Sequence, residues 1–178
     1  MRITIFWVFL TVLTWNQVSG QDTTDKQALF PFELKDTLGR VVKAADFEGK
    51  ALVMDFWFTG CKGCVQVAEA LHKEVMPAFA NDSNVVFLSV CLDVNFLQWK
   101  RSLRTGMYTN AEQVNLYTMG LGADHPLFRH YRFSGCPQLL IADRSGAVLS
   151  VSPALPVVGN RASVNSCIAL IDKARNLK

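Results

Sequence analysis

The sequence offers little with which to hold a ligand by charge or by metal. Histidine occurs only three times, at His72, His125 and His130, and no second close pair of cysteines accompanies the one at Cys61 and Cys64. A structural zinc site would therefore have to draw its last two ligands from scattered positions. Neither charge is in excess: one of the 18 lysines and arginines is Arg2 in the leader, and the rest nearly balance 15 acidic residues. Charge thus names no partner. Basic runs with interleaved aromatics are also missing, so no nucleic acid is expected as a partner. No internal repeat or domain linker stands out. Long apolar runs are absent too, apart from Ile3 to Trp15 near the start, which is shorter than the ~20 residues of a membrane span.

That first run has the layout of an address. Arg2 gives a positive start, the apolar stretch follows, and Val18-Ser19-Gly20 places small or modest residues where a signal peptidase cuts. Residues 1–20 are expected to be a signal peptide cleaved after Gly20, an uncleaved anchor being the alternative. No cysteine near the cut suggests a lipid anchor. Residues 21–30 read as a flexible lead-in and 31–178 as one domain, long enough to enclose a substantial core. Export, and a periplasmic location in a Gram-negative source, would put the five cysteines in an oxidising setting where thiols tend to be paired, catalytic or buried.

Within the domain, Phe32–Lys35 and Arg40–Lys43 flank the turn-forming Asp36-Thr37-Leu38-Gly39 and predict a hairpin. Asp46–Lys50 reads as a loop. Ala51–Phe58 is a nearly unbroken apolar run, the pattern of a strand buried on both faces, interrupted by Asp55. Apolar residues at Val65, Ala68, Leu71, Val75 and Phe79 predict an amphipathic helix from Lys62, ended or bent by Pro77. Val85–Leu92 is a second buried strand and Phe96–Leu103 a short helix. Arg104–Gly122 lacks a period and reads as a loop-rich insertion. A short helix at Pro126–Tyr131, strands at Gln138–Ala142 and Ala147–Val151 and a helix at Ala162–Asn176 complete the chain. This alternation gives the class as α/β, a mixed central sheet flanked by helices.

Cys61 and Cys64 are three apart at the predicted start of a helix. A cysteine attacks disulfides as thiolate, and a helix N-terminus favours negative charge through its unpaired N–H groups and dipole. Lys62 adds a cation. Gly60 and Gly63 leave room for a substrate chain. Cys61 is the expected nucleophile and Cys64 the resolving thiol, with a structural bridge or half a zinc site as the alternatives. Asp55, a carboxylate in an apolar strand, is expected to have a raised pKa and to take the proton from Cys64. Its bland alternative is a carboxylate that reaches a sheet edge or pairs with a lysine.

The run Asp55-Phe56-Trp57-Phe58-Thr59-Gly60-Cys61-Lys62-Gly63-Cys64 resembles the active-site strand and turn of thioredoxins, and the chain is most similar to exported TlpA-like and ResA-like thiol-disulfide oxidoreductases. The likeness covers roughly residues 30–175, with Phe32–Lys50 and Asp93–Gly122 fitting the hairpin and central insertion of those proteins. It implies a thioredoxin-like fold and protein-disulfide reductase activity on protein thiols and disulfides. It also implies a membrane electron donor, and a monomer with no cofactor or metal beyond the redox-active disulfide Cys61–Cys64. By the same resemblance Pro137, in Ser134-Gly135-Cys136-Pro137, is a cis-proline facing the pair, and Trp57 shapes the site, with Phe58 beside it.

The chain departs from thioredoxins proper in Gly60, in Lys62-Gly63 and in lacking a helix proline at Glu69. Cys136 stands where the family has another residue type; it is a third reactive thiol, a trap for metal or a small buried hydrophobe. Cys91 and Cys167 read as core. Two other functions compete. A peroxiredoxin would need threonine and proline where Phe58 and Met54 stand, and an exported copper chaperone would space its cysteines one residue wider.

Overall fold

The computed structural model describes residues 27–177, so the predicted signal peptide at 1–20 lies outside the described residues. Seven strands and four α-helices follow one another among the described residues. They are β1 (Glu33–Asp36), β2 (Val41–Lys43), β3 (Ala51–Trp57), α1 (Lys62–Ala70), β4 (Val85–Cys91), α2 (Phe96–Leu103), β5 (Val114–Tyr117), α3 (Pro126–His130), β6 (Gln138–Ala142), β7 (Val148–Val151) and α4 (Arg161–Asn176). The strands form one seven-stranded mixed sheet in the order β2-β1-β5-β4-β3-β6-β7. Strands β3, β4 and β5 run parallel, and β6, β7 and the β1–β2 hairpin are antiparallel to their neighbours.

The apolar run Ala51–Trp57 is buried at every position because β3 lies between β4 and β6 with helices over both faces. Its side chains divide by parity. Ala51 and Val53 meet Val67 and Leu71 of the first helical run and Val164 and Ile171 of α4. Leu52, Met54 and Phe56 point the other way, onto Leu127 and Phe128 of α3 and onto Phe32 and Leu34.

The predicted hairpin forms, and Asp36 fastens its turn. One carboxylate oxygen accepts the N–H groups of Leu38 and Arg40, both at 2.9 Å, and the other accepts Arg40 Nε–H at 2.6 Å. The helix expected from Lys62 to Phe79 runs the whole way but changes pitch. It widens to a π-helical turn at Leu71–Val75 and tightens to a 3₁₀ turn at Met76–Phe79, where Pro77 lacks the N–H needed to continue an α-helix. The loop expected at 46–50 begins as a 3₁₀ turn, Ala44–Phe47.

Two expectations need correction. The flexible lead-in assigned to residues 21–30 ends sooner: Leu29 N–H donates to Gly146 O at 2.8 Å, Val148 N–H to Gln27 O at 2.7 Å, and Phe30 N–H to Tyr131 Oη at 3.0 Å. Backbone pairing with the β6–β7 turn holds a segment whose own composition gives no strand signal.

The second correction concerns 104–122, read as loop. Val114-Asn115-Leu116-Tyr117 forms β5, which joins the hairpin to the parallel core. Four residues are too few to display a period, and the sheet on both sides supplies what local pattern does not. Leu116 is fully buried. Leu116→Ala should therefore cost about 2–5 kcal/mol in chemical denaturation, as for other buried leucines, where a loop position would lose under ~0.5 kcal/mol.

Candidate active site

The parallel strands deliver their last residues at one edge of the sheet, where a turn can pass into a helix with unpaired amides. At that edge β3 ends on Trp57, residues 58–60 make the turn and α1 begins at Lys62. Cys61 is the N-cap, with extended backbone, and its Sγ accepts the N–H of Cys64 at 3.1 Å. The two sulfurs are joined as a disulfide. Cys61 is 7% exposed and Cys64 is wholly buried, so an attacking or attacked sulfur from outside can reach only Cys61. In the reduced protein the same N–H would meet a negatively charged sulfur, the stronger form of that hydrogen bond.

The turn before Cys61 is held from the insertion. Gly60 adopts φ +95°, a conformation that disfavours any side chain, and its N–H donates to Tyr108 Oη at 2.8 Å. The Tyr108 ring stacks on Trp57 at 4.5 Å with 3° between the planes, and Trp57 Nε1–H donates to Ser89 Oγ at 2.7 Å. Asp93 accepts Thr59 N–H at 2.8 Å and Thr59 Oγ1–H at 2.5 Å, and Thr59 Oγ1 also lies 2.6 Å from Ser102 Oγ.

Sequence reasoning placed Trp57 and Gly60 at the site but missed Thr59, Tyr108, Asp93 and Ser102. The usable signal was Asp93, a carboxylate directly after an apolar strand. Tyr108→Phe keeps the ring stack and removes the acceptor of Gly60 N–H. Thermal or urea unfolding should report a loss of about 1 kcal/mol.

Asp55 sits in β3 between Ser89 of β4 and Leu139 of β6. It is 1% exposed, and neither carboxylate oxygen has a hydrogen-bond partner among the described residues. The sheet-edge and lysine-pair alternatives do not describe it, because β3 is a central strand. Burial pushes its pKa up to about 8, which places proton gain and loss within reach of neutral pH.

The bond between Cys136 and Pro137 is cis, as the resemblance implied. The Pro137 ring packs onto the helix start: a Cβ placed on Gly63 would lie 3.1 Å from Pro137 Cδ. The room that Gly63 was expected to leave for a substrate is thus occupied by the chain's own loop. Gly60, by contrast, has open space on that side. Lys62 is exposed beside Cys61. Cys136 is half-buried and packs against the cluster of Trp57, Cys61, Cys64 and Cys91. Burial, and then the nearby Asp55 charge, raise its thiol to about 12, so it is protonated at neutral pH.

Burial likewise pushes up the thiol of Cys91, and that of Cys167 to about 11, in keeping with core positions. The structure thus gathers Cys61, Cys64, Trp57, Gly60, Gly63, Cys136 and Pro137 at one end of β3, with Asp55 behind them. Phe58 turns outward and is 41% exposed. Among the described residues no helix is long and apolar enough to cross a membrane.

Comparison with known proteins agrees with this architecture. The thioredoxin domain of a thiol-disulfide oxidoreductase from Bacteroides vulgatus is 25% identical, with a TM-score of 0.62 over 80% of this chain and 96% of that one. A thiol:disulfide interchange protein from a Bacteroides species is 22% identical, with a TM-score of 0.62 over 85% and 92% of the two chains. Both share the thioredoxin-like fold. No curated protein matches the chain. The model of the AhpC/TSA family matches residues 26–151, from the hairpin through the cysteine turn and the insertion to the cis-proline loop and β7, and by that match the chain belongs to the AhpC/TSA family.

Proposed function

We propose that the protein is an exported thiol-disulfide oxidoreductase that reduces disulfides in client proteins. The observation that carries this reading is the unequal burial of a disulfide at a helix N-cap, with Cys61 7% exposed and Cys64 wholly enclosed. In the reducing direction the Cys61 thiolate attacks a client disulfide. One client sulfur leaves as thiolate and the other is held in a mixed disulfide. Cys64 then attacks Cys61 Sγ, the client departs with two thiols, and the Cys61–Cys64 disulfide carries the two electrons' worth of oxidation.

Asp55 serves as the base for the Cys64 thiol, directly or through a water, since a group with a pKa of about 8 can both take and return a proton near neutrality. Lys62 and the helix amides favour the attacking anion. Trp57, Gly60 and Gly63 hold the dithiol's frame, and Pro137 with Cys136 forms the edge along which a client backbone would lie. The disulfide is the only redox group this scheme needs. The resemblance to TlpA-like and ResA-like proteins supports the reducing direction, action as a monomer and renewal by a membrane electron donor. The N-terminal address supports export. Peroxide reduction is not favoured, because Phe58 and Met54 stand where that chemistry needs threonine and proline.

Equilibration in defined dithiol buffers tests the reading. A reductase should titrate as a two-electron couple near or below about −200 mV, with Cys136→Ser giving the same value. A couple near about −120 mV would assign the oxidising direction instead, and a pair that never equilibrates would be a structural bridge.

A further inference from the structure

Between Phe58 and the segment leading to the cis-proline a cavity of about 250 Å³ opens to solvent. Its walls are Phe58, Leu92, Phe128 and Phe133, and Cys136 closes the end nearest the redox cluster. The size is below the ~300–1,000 Å³ typical of sites for drug-sized ligands and suits a single large side chain. Among the described residues the one charged side chain in the lining is Arg129, which is exposed. A cation there repels lysine or arginine and attracts the face of an aromatic ring. Position then names the source of that ring. Cys136 adjoins Pro137, whose ring packs on Gly63 between the two cysteines, so a polypeptide lying along this loop with its sulfur at Cys61 would run beside the cavity.

We infer that the cavity is a subsite for an aromatic side chain flanking the cysteine of the client polypeptide. The inference rests on the exchange reading above and adds to it a preference among clients. Burial of a ring against four apolar walls stabilises the encounter that leads to attack, so it raises the rate for aromatic-flanked cysteines over others.

The test uses the reduced protein and short peptides held as glutathione mixed disulfides, with Trp, Ala or Lys two residues from the cysteine. Each rate is divided by the same protein's rate on hydroxyethyl disulfide, which has no side chain to seat. The Trp peptide should exceed the Ala peptide by about tenfold or more, with the Lys peptide no faster than Ala. In Ala123→Trp, where an exposed lining residue becomes a ring that fills the cavity, the Trp-to-Ala ratio should fall toward one. Phe58→Ala removes an exposed wall and should lower the ratio too, which keeps the test in hand if Ala123→Trp fails to fold.

Equal wild-type rates for the Trp and Ala peptides would overturn the subsite while leaving exchange intact. So would a Trp preference undiminished in the variants. A concentration-dependent dimer that hides Phe58 would overturn it in favour of a second copy as occupant. Failure on hydroxyethyl disulfide together with every peptide would strike the exchange reading, and the subsite with it.

Discussion

Cys64→Ser should leave the protein covalently joined to its client, and Cys61→Ser should abolish exchange altogether. The asymmetry follows from burial and not from the motif alone, because the motif is nearly symmetric. Cys61 holds the N-cap and is 7% exposed, whereas Cys64 is wholly buried in the cluster with Trp57 and Cys91. A serine hydroxyl does not ionise near neutrality, so Cys61→Ser removes the attacking anion, and turnover of a protein disulfide should fall by at least about a thousandfold. Cys64→Ser still attacks but cannot resolve, so non-reducing electrophoresis should show a client adduct that dithiothreitol releases. Adducts on Cys61→Ser but not on Cys64→Ser would reverse the assignment of roles.

Asp55→Asn should stabilise the oxidised protein at neutral pH while slowing resolution. The native carboxyl is raised from 3.8 to about 8 by burial. Between those values the folded protein keeps a proton that the unfolded chain gives up. The stability this proton confers is complete below about pH 3.8 and is lost as pH rises toward 8. Asparagine does not titrate. The variant should therefore gain on the wild type by ~1.4 kcal/mol per pH unit across this window, reaching about 4 kcal/mol at pH 7, and gain nothing more above pH 8. Urea unfolding at pH 4 and pH 7.5 measures the difference directly, and parallel stability profiles would contradict it. Loss of the base should lower the resolving step by about a hundredfold, most visibly below pH 8. Accumulation of the mixed disulfide in Asp55→Asn would report this separately from any change in stability.

Much of the fold is legible in the sequence where burial writes itself as an apolar run. Ala51–Trp57 and Val85–Cys91 announce themselves as strands because each is enclosed on both faces. Asp55 stands out against the first for the same reason. Helix α2 begins where the sequence reading placed it, and there Asn95 caps it by accepting Gln98 N–H at 3.1 Å. What escapes is structure held by distant partners. Strand β5 is fixed by β1 and β4 on either side, and Gln27 to Phe30 by the β6–β7 turn and Tyr131.

The site divides the same way. The cysteines, Trp57, Gly60 and Pro137 lie in contiguous motifs. Tyr108 and Ser102 act on the turn across more than forty residues of chain through single side-chain contacts, and no local pattern marks them. Gly63 shows a related gap: a glycine predicts a close approach without saying which group makes it, here Pro137.

Alkylation of the reduced, folded protein across pH bears most directly on the account, because every step above begins with an anionic sulfur at position 61. With Cys91, Cys136 and Cys167 replaced by serine or alanine, iodoacetamide should modify Cys61 first. Its rate should reach half its plateau at least about one unit below the pH ~8.5 of an ordinary thiol. A Cys61 that reacts no faster than in the unfolded chain, or only as pH passes ~8.5, would contradict it.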